Sequence, residues 1–160
     1  MDIVLSYLNP FNSIIIGALL PYIPHALKIP VVHNKLAIDS KTNKTVPRGY
    51  DLKDPRSATN AAIDTTEQGK FIARCNNCHY NGFESFPLFA IAVLSAHVAG
   101  VDKITQQQMS TLYIIMRLIY TYVYCYGTNK TLAMLRSTVW AIGLGSSVYL
   151  LYKAGQTIKA

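Results

Sequence analysis

RCNNCHYNGFESFP, residues 74–87, holds two patterns that point to different proteins. Cys75, Cys78 and His79 have the C-x-x-C-H spacing of covalent haem attachment, and the same two thiols could form a redox pair. Arg74, Asn77, Asn81, Glu84 and Leu88 recur at helical spacing and share one face, polar at first and then apolar. The flanking sequence decides between them.

The surroundings are those of a membrane protein. Of the 160 residues, 51% are hydrophobic and only 14% charged, and the mean hydropathy of +0.21 is high for a soluble domain of this size. Stretches 3–27 and 86–101 carry no charge, and 106–129 and 132–152 carry only Arg117 and Arg136 respectively. A bilayer crossing needs roughly 20 helical residues. Four spans are therefore expected, near 3–27, 70–99, 107–126 and 131–152, in an all-α, four-helix integral membrane bundle that forms a single domain over residues 1–160. Pro10, Pro21 and Pro24 should bend the first span. Met1-Asp2 lacks the basic start of a cleaved signal peptide. Between the first two spans, 31–67 reads as a polar loop.

Charge orients the bundle. Nine Lys and Arg between Lys28 and Arg74, with Lys130, fall on one side, against Lys103, Lys153 and Lys159 on the other. The positive-inside rule then puts the basic loop 28–74 in the cytosol or matrix and both termini opposite. Anionic head groups account for the net charge of +7 without nucleic acid as a partner.

Ionisable groups in hydrocarbon cost about 2.5 kcal/mol or more at a helix centre, so Glu84 and Arg117 need partners. The expected solution is that they face each other across a helix interface, completed by tyrosines from the stripe Tyr113, Arg117, Tyr120, Tyr124. A purely structural ion pair is the competing reading. Pro87 frees the Phe83 carbonyl and should open a niche near Glu84. On the fourth span, Ser137, Ala141 and Gly145 offer a small-residue seam for close packing.

Taken together, these residues resemble the family of membrane-associated proteins in eicosanoid and glutathione metabolism (MAPEG). His79, Asn81, Glu84 and Pro87 fill the positions of its N-x-x-E-x-x-P segment, commonly preceded by His. Arg117, Tyr120 and Tyr124 match its R-x-x-[YH]-x-x-x-Y pattern. The stretch from Leu135 through Arg136, Ser137 and Trp140 to Gly143 is similar to the start of its fourth helix, especially in bacterial-type members. Asp51-Leu-Lys-Asp-Pro-Arg56 resembles the segment before its second helix.

The resemblance implies a trimer-forming four-helix membrane protein with glutathione as cofactor, bound between subunits: a glutathione-dependent transferase or peroxidase acting on lipophilic electrophiles. Asn81 and Glu84 would hold glutathione's backbone and amino group, Arg117, Tyr120 and Tyr124 would line the site, and Arg136, followed by Ser137, would sit beside the sulfur as the catalytic pair. One departure stands out. Glutathione-using members carry an Arg four residues before the motif Asn, where this chain has Asn77; Arg74, one turn earlier, is the candidate substitute. The alternative is a non-catalytic accessory or structural membrane subunit of a larger complex. Haem is not expected: His79 sits where the family has His anyway and points away from Asn81, and no solvated crevice is foreseen. Nor is a metal, since two thiols and one imidazole on one helix leave a zinc shell incomplete. The compartment is expected to be an endoplasmic reticulum or mitochondrial membrane.

Overall fold

The computed structural model describes residues 9–41 and 55–159, and every regular element among them is helical. Six helices follow in order: α1 (Pro10–Leu19), α2 (Tyr22–Lys41), α3 (Pro55–Ala62), α4 (Glu67–Val98), α5 (Lys103–Tyr126) and α6 (Lys130–Lys159). Helices α1 and α2 form a bent first rod, and α4, α5 and α6 are the other three. The all-α, four-rod reading of the sequence stands, with the short α3 added.

Local chemistry sets the helix starts. The Asn9 side chain accepts from Asn12 N–H at 2.8 Å, with Pro10 opening α1. Thr66 caps α4 through Gly69 N–H at 3.1 Å, Asp102 caps α5 through Thr105 N–H at 2.8 Å, and Asn129 caps α6 through Leu132 N–H at 2.8 Å. The Thr105 backbone N–H also holds the Asp102 carboxyl below the usual carboxylate range. Gly100, at φ +75°, closes α4: its N–H reaches the His97 carbonyl at 3.1 Å while Val101 N–H reaches Ala96 at 3.0 Å. That pairing is a Schellman end, and it needs the left-handed conformation glycine adopts freely.

The first rod breaks at Leu20–Pro21, where Pro21 has no N–H to donate and the chain re-enters a helix at Tyr22. A Cβ on Gly82 would lie 2.8 Å from Pro21 Cβ, so the missing side chain lets α4 pass against this corner. The loop expected at 31–67 is corrected in part: α2 continues to Lys41, and 55–62 forms α3. Buried Val32 packs with Ala62 and Ile72, an apolar seam that keeps α2 helical beyond the hydrophobic run. Residues 3–8 of the expected first span and 42–54 of the loop lie outside the described residues. Helix α4 runs through Pro87 as one element. One further expectation fails: Ser137, Ala141 and Gly145 are exposed rather than packed, because α6 turns Gly143, Ser146, Ser147 and Leu150 inward instead.

Beside an apolar core, polar side chains are buried and large apolar ones exposed. Ser13, Ser110, Arg117, Thr121, Ser146 and Ser147 are buried. Phe11, Ile15 and Leu19 on α1, Ile91 and Val98 on α4, Leu118 and Tyr122 on α5 and Val148 and Tyr152 on α6 face outward. So continuous an exposed apolar surface needs a non-aqueous cover. Among the described residues, Pro10–Asn34 is long and apolar enough by itself to cross a membrane. At 1.5 Å per residue α4, α5 and α6 run about 48, 36 and 45 Å, each longer than the roughly 30 Å hydrocarbon layer.

The core joins three rods at Phe89, fully buried and stacked on Tyr113 with centroids 3.8 Å apart and planes 3° from parallel. Phe89→Ala is expected to destabilise the bundle by about 2 kcal/mol in mixed-micelle unfolding, below the 3–5 typical of water-soluble cores. Lipid chains solvate a released ring as well as the core does, so only lost packing counts. A loss above about 4 kcal/mol would mean that water, not lipid, is the reference solvent.

Candidate functional site

A polar ladder crosses the α4–α5 interface. Arg74 Nε donates to the Cys125 carbonyl at 3.0 Å, and Cys78 Sγ lies 3.9 Å from Thr121 Oγ1. Arg117 Nη1 donates to Asn81 Oδ1 at 3.0 Å, and Ser85 Oγ meets the Tyr113 hydroxyl at 3.2 Å. Each step of three or four residues up α4 is matched by four back along α5, as antiparallel helices in register require. The hydroxyl of Thr121 donates to the Arg117 carbonyl at 2.9 Å, so the ladder leaves no hydroxyl idle in that turn.

Arg117 is its centre, only 5% exposed. Its guanidinium carbon sits 4.5 Å above the Tyr120 ring, and Tyr120 and Tyr124 have centroids 5.3 Å apart. The Arg136 guanidinium in turn lies 4.4 Å above Tyr124. Asn81, Arg117, Tyr120, Tyr124 and Arg136 thus form one continuous chain from α4 to α6, with aromatic faces covering the two cations and their N–H edges left to bind. On the α6 side of Arg117 the space lined by Ser85, Tyr113, Trp140 and Ser147 is about 10 Å³, the size of one water. A ligand larger than that must approach Arg117 and Arg136 from outside the four rods.

The expected Glu84–Arg117 pair is not formed. Arg117 binds Asn81 instead, Glu84 is exposed, and among the described residues the ion pair that forms is Lys70–Glu67 at 2.8 Å. Helical phase explains it: Arg74, Cys78, Asn81 and Ser85 point at α5, and Glu84 is turned about 90° from their mean at 100° per residue. Asn77 shares that outer face and is exposed as well. Ser137, also exposed, donates to its own helix at the Ala133 carbonyl, 3.3 Å away. The structure therefore joins Asn81, Arg117, Tyr120, Tyr124 and Arg136, ties Arg74 to the α5 end, and leaves Asn77, Glu84 and Ser137 on the outside. Ser85, Tyr113 and Thr121 complete the ladder; their spacing from Asn81 and Arg117 was the available signal, since each lies one turn along the same face.

The C-x-x-C-H residues divide between two sides of α4. Cys75 and Cys78 are buried with Cys125, Tyr120 and Val139, and all three thiols are free. His79 turns the other way, its Nδ1 2.7 Å from the Pro21 carbonyl oxygen at the bend of the first rod.

An all-helical chain with apolar outer faces and a cationic, tyrosine-lined ladder inside defines a helical membrane protein with an internal polar seam. Residues 31–156 match the MAPEG family, so the chain belongs to it, and this is a membrane family. No curated protein and no solved structure matches the chain.

Proposed function

We propose that this chain is a four-span integral membrane enzyme that uses glutathione to conjugate or reduce lipophilic electrophiles reaching it from the bilayer. The observation that carries the reading is Arg117: a buried guanidinium whose partner among the described residues is a neutral amide, not a carboxylate. Burying a cation costs several kcal/mol unless an anion compensates it. With Arg136 nearby, the ladder is electropositive and suited to a peptide that carries carboxylates and a thiolate.

In this reading Asn81, Arg117, Tyr120 and Tyr124 line the glutathione site, Arg74 and Asn77 flank its entrance, and Arg136 with Ser137 attends the sulfur. Glu84 points outward, so a second copy of the chain supplies the facing wall. That favours a homotrimer with the tripeptide between subunits. The basic stretch 28–74 lies on the cytosolic or matrix side of an endoplasmic reticulum or mitochondrial membrane, and the branch is bacterial-type. Neither haem, metal nor nucleic acid has a place in this reading: Cys75 and Cys78 serve packing on one side of α4 while His79 serves the bend on the other.

Exposed Asn77, in place of the family's arginine, favours one competitor, a non-catalytic accessory subunit of a larger membrane complex. An amide cannot replace a bidentate arginine on a carboxylate at equal strength. Calorimetry with the purified oligomer in neutral detergent separates the two: saturable glutathione binding at millimolar concentration or below is expected, and its absence leaves the subunit reading.

A further inference from the structure

On the far side of α4 from the ladder, α2, α3 and α4 enclose a recess of about 340 Å³. Its polar wall is built by His25, Lys28, Arg56, Asn76 and His79. Lys28 is only 4% exposed, and its Nζ donates to Asn76 Oδ1 at 2.7 Å. An ammonium carries three donors, and the amide oxygen takes one. Among the described residues lining the recess there is no carboxylate. Arg56, exposed on α3, adds a second fixed charge at the edge.

The two histidines reinforce the pattern. His79 donates Nδ1–H to the Pro21 carbonyl, so Nε2 of its neutral ring is an acceptor, suited to a proton-bearing phosphate oxygen. His25 lies 5.0 Å from it, centroid to centroid, and its buried Nδ1 has no hydrogen-bond partner among the described residues. A buried cation, a second cation at the mouth and an unpartnered imidazole nitrogen converge on one volume without a compensating anion among the described residues. Ile29 and Val32, on the same face of α2 as His25 and Lys28, give the recess its apolar lining.

We propose that this recess binds a phosphate group, and that the group is the head of an anionic lipid lying against Ile29 and Val32. Phosphate offers several acceptor oxygens to several donors at once, which a single carboxylate would leave partly unmet. The volume exceeds what a bare phosphate needs and accommodates the adjoining glycerol. The site lies along the first half of α2, at the start of the basic stretch where an anionic leaflet is expected to lie. It uses the α4 face bearing Asn76 and His79, separate from Asn81 and Arg117, and does not depend on glutathione being the ligand there.

The test uses the full chain in neutral detergent, with native mass spectrometry and thermal unfolding read against three probes: short-chain phosphatidic acid, short-chain phosphatidylcholine and inorganic phosphate. Phosphatidic acid is expected to bind saturably, one per chain, and to raise the unfolding temperature. Lys28→Met should weaken it by about tenfold or more, the size of a lost charged hydrogen bond. Arg56→Ala, at the exposed rim, should weaken it severalfold, with glutathione binding unchanged in both. Ligand-free Lys28→Met should unfold no lower than the parent protein, since it removes an uncompensated buried charge at similar volume. Saturation by inorganic phosphate alone would retain the phosphate site and assign it a soluble ligand. Binding of phosphatidylcholine as tight as that of phosphatidic acid, or unchanged phosphatidic acid binding in both variants, would overturn the proposal.

Discussion

Glu84→Gln is expected to weaken glutathione binding by about thirtyfold or more while leaving the oligomer intact. The carboxylate stands on the outer face of α4, and toward the membrane interior that face continues as Ile91 and Val98, both exposed. A carboxylate left against hydrocarbon costs about 2.5 kcal/mol or more, and in the proposed trimer a neighbouring subunit and a cationic group cover it. In the proposed complex that group is the ligand's ammonium. Glutamine keeps the shape and one acceptor but removes the charge, stranding the ammonium in a dry boundary. Truncating one partner of such a pair costs about 2–5 kcal/mol. The lower figure already corresponds to roughly thirtyfold in Kd. Calorimetry gives the affinity, and native mass spectrometry gives the subunit count. Parent-like binding would mean that Glu84 meets a protein group and not the ligand; loss of the oligomer itself would make it an assembly residue.

The same glutamate marks where the sequence stops being legible. Periodicity placed Asn81, Glu84, Arg117 and Tyr120 on polar stripes, and helices α4, α5 and α6 begin and end within a few residues of the expected spans 70–99, 107–126 and 131–152, except that α6 runs on to Lys159. Spacing alone could not choose between Asn81 and Glu84 as the partner of Arg117. They are three residues apart, about 60° in phase, and the choice depends on how far α4 rotates about its axis. That rotation is set by contacts with no sequence signature, such as Gly82 against Pro21 and Phe89 against Gly17. Small residues misled in the other direction: Ser137, Ala141 and Gly145 have the spacing of a packing seam, yet α6 buries the neighbouring face. The recess around Lys28 was illegible for a further reason. It exists because α3, a short helix of polar composition, folds back over α2, and nothing in its eight residues announces that contact.

Arg136→Ala is expected to move the pH–rate profile for a generic aromatic halide, and the shape of the change matters more than its size. An arginine beside a thiol lowers its pKa by about 1–3 units. Taking two units from a starting value near 8.5, the bound thiol is about half ionised at about pH 6.5, and without Arg136 about one hundredth. The more basic thiolate left behind is intrinsically the better nucleophile, by roughly eightfold at a Brønsted slope of about 0.45. Ionisation alone therefore leaves a loss of about sixfold near pH 6.5, which vanishes near about pH 7.6 and becomes a gain approaching about eightfold above about pH 9. Any stabilisation of developing charge by Arg136 adds a further loss, up to about a hundredfold, that is the same at every pH. The expected result combines both: a kcat midpoint displaced upward by about two units, on a plateau lowered by about tenfold where the hundredfold loss outweighs the eightfold gain. A uniform fall with an unmoved midpoint would assign Arg136 to positioning, through its stacking on Tyr124. An unchanged profile would place the thiol elsewhere, and with it the chemistry.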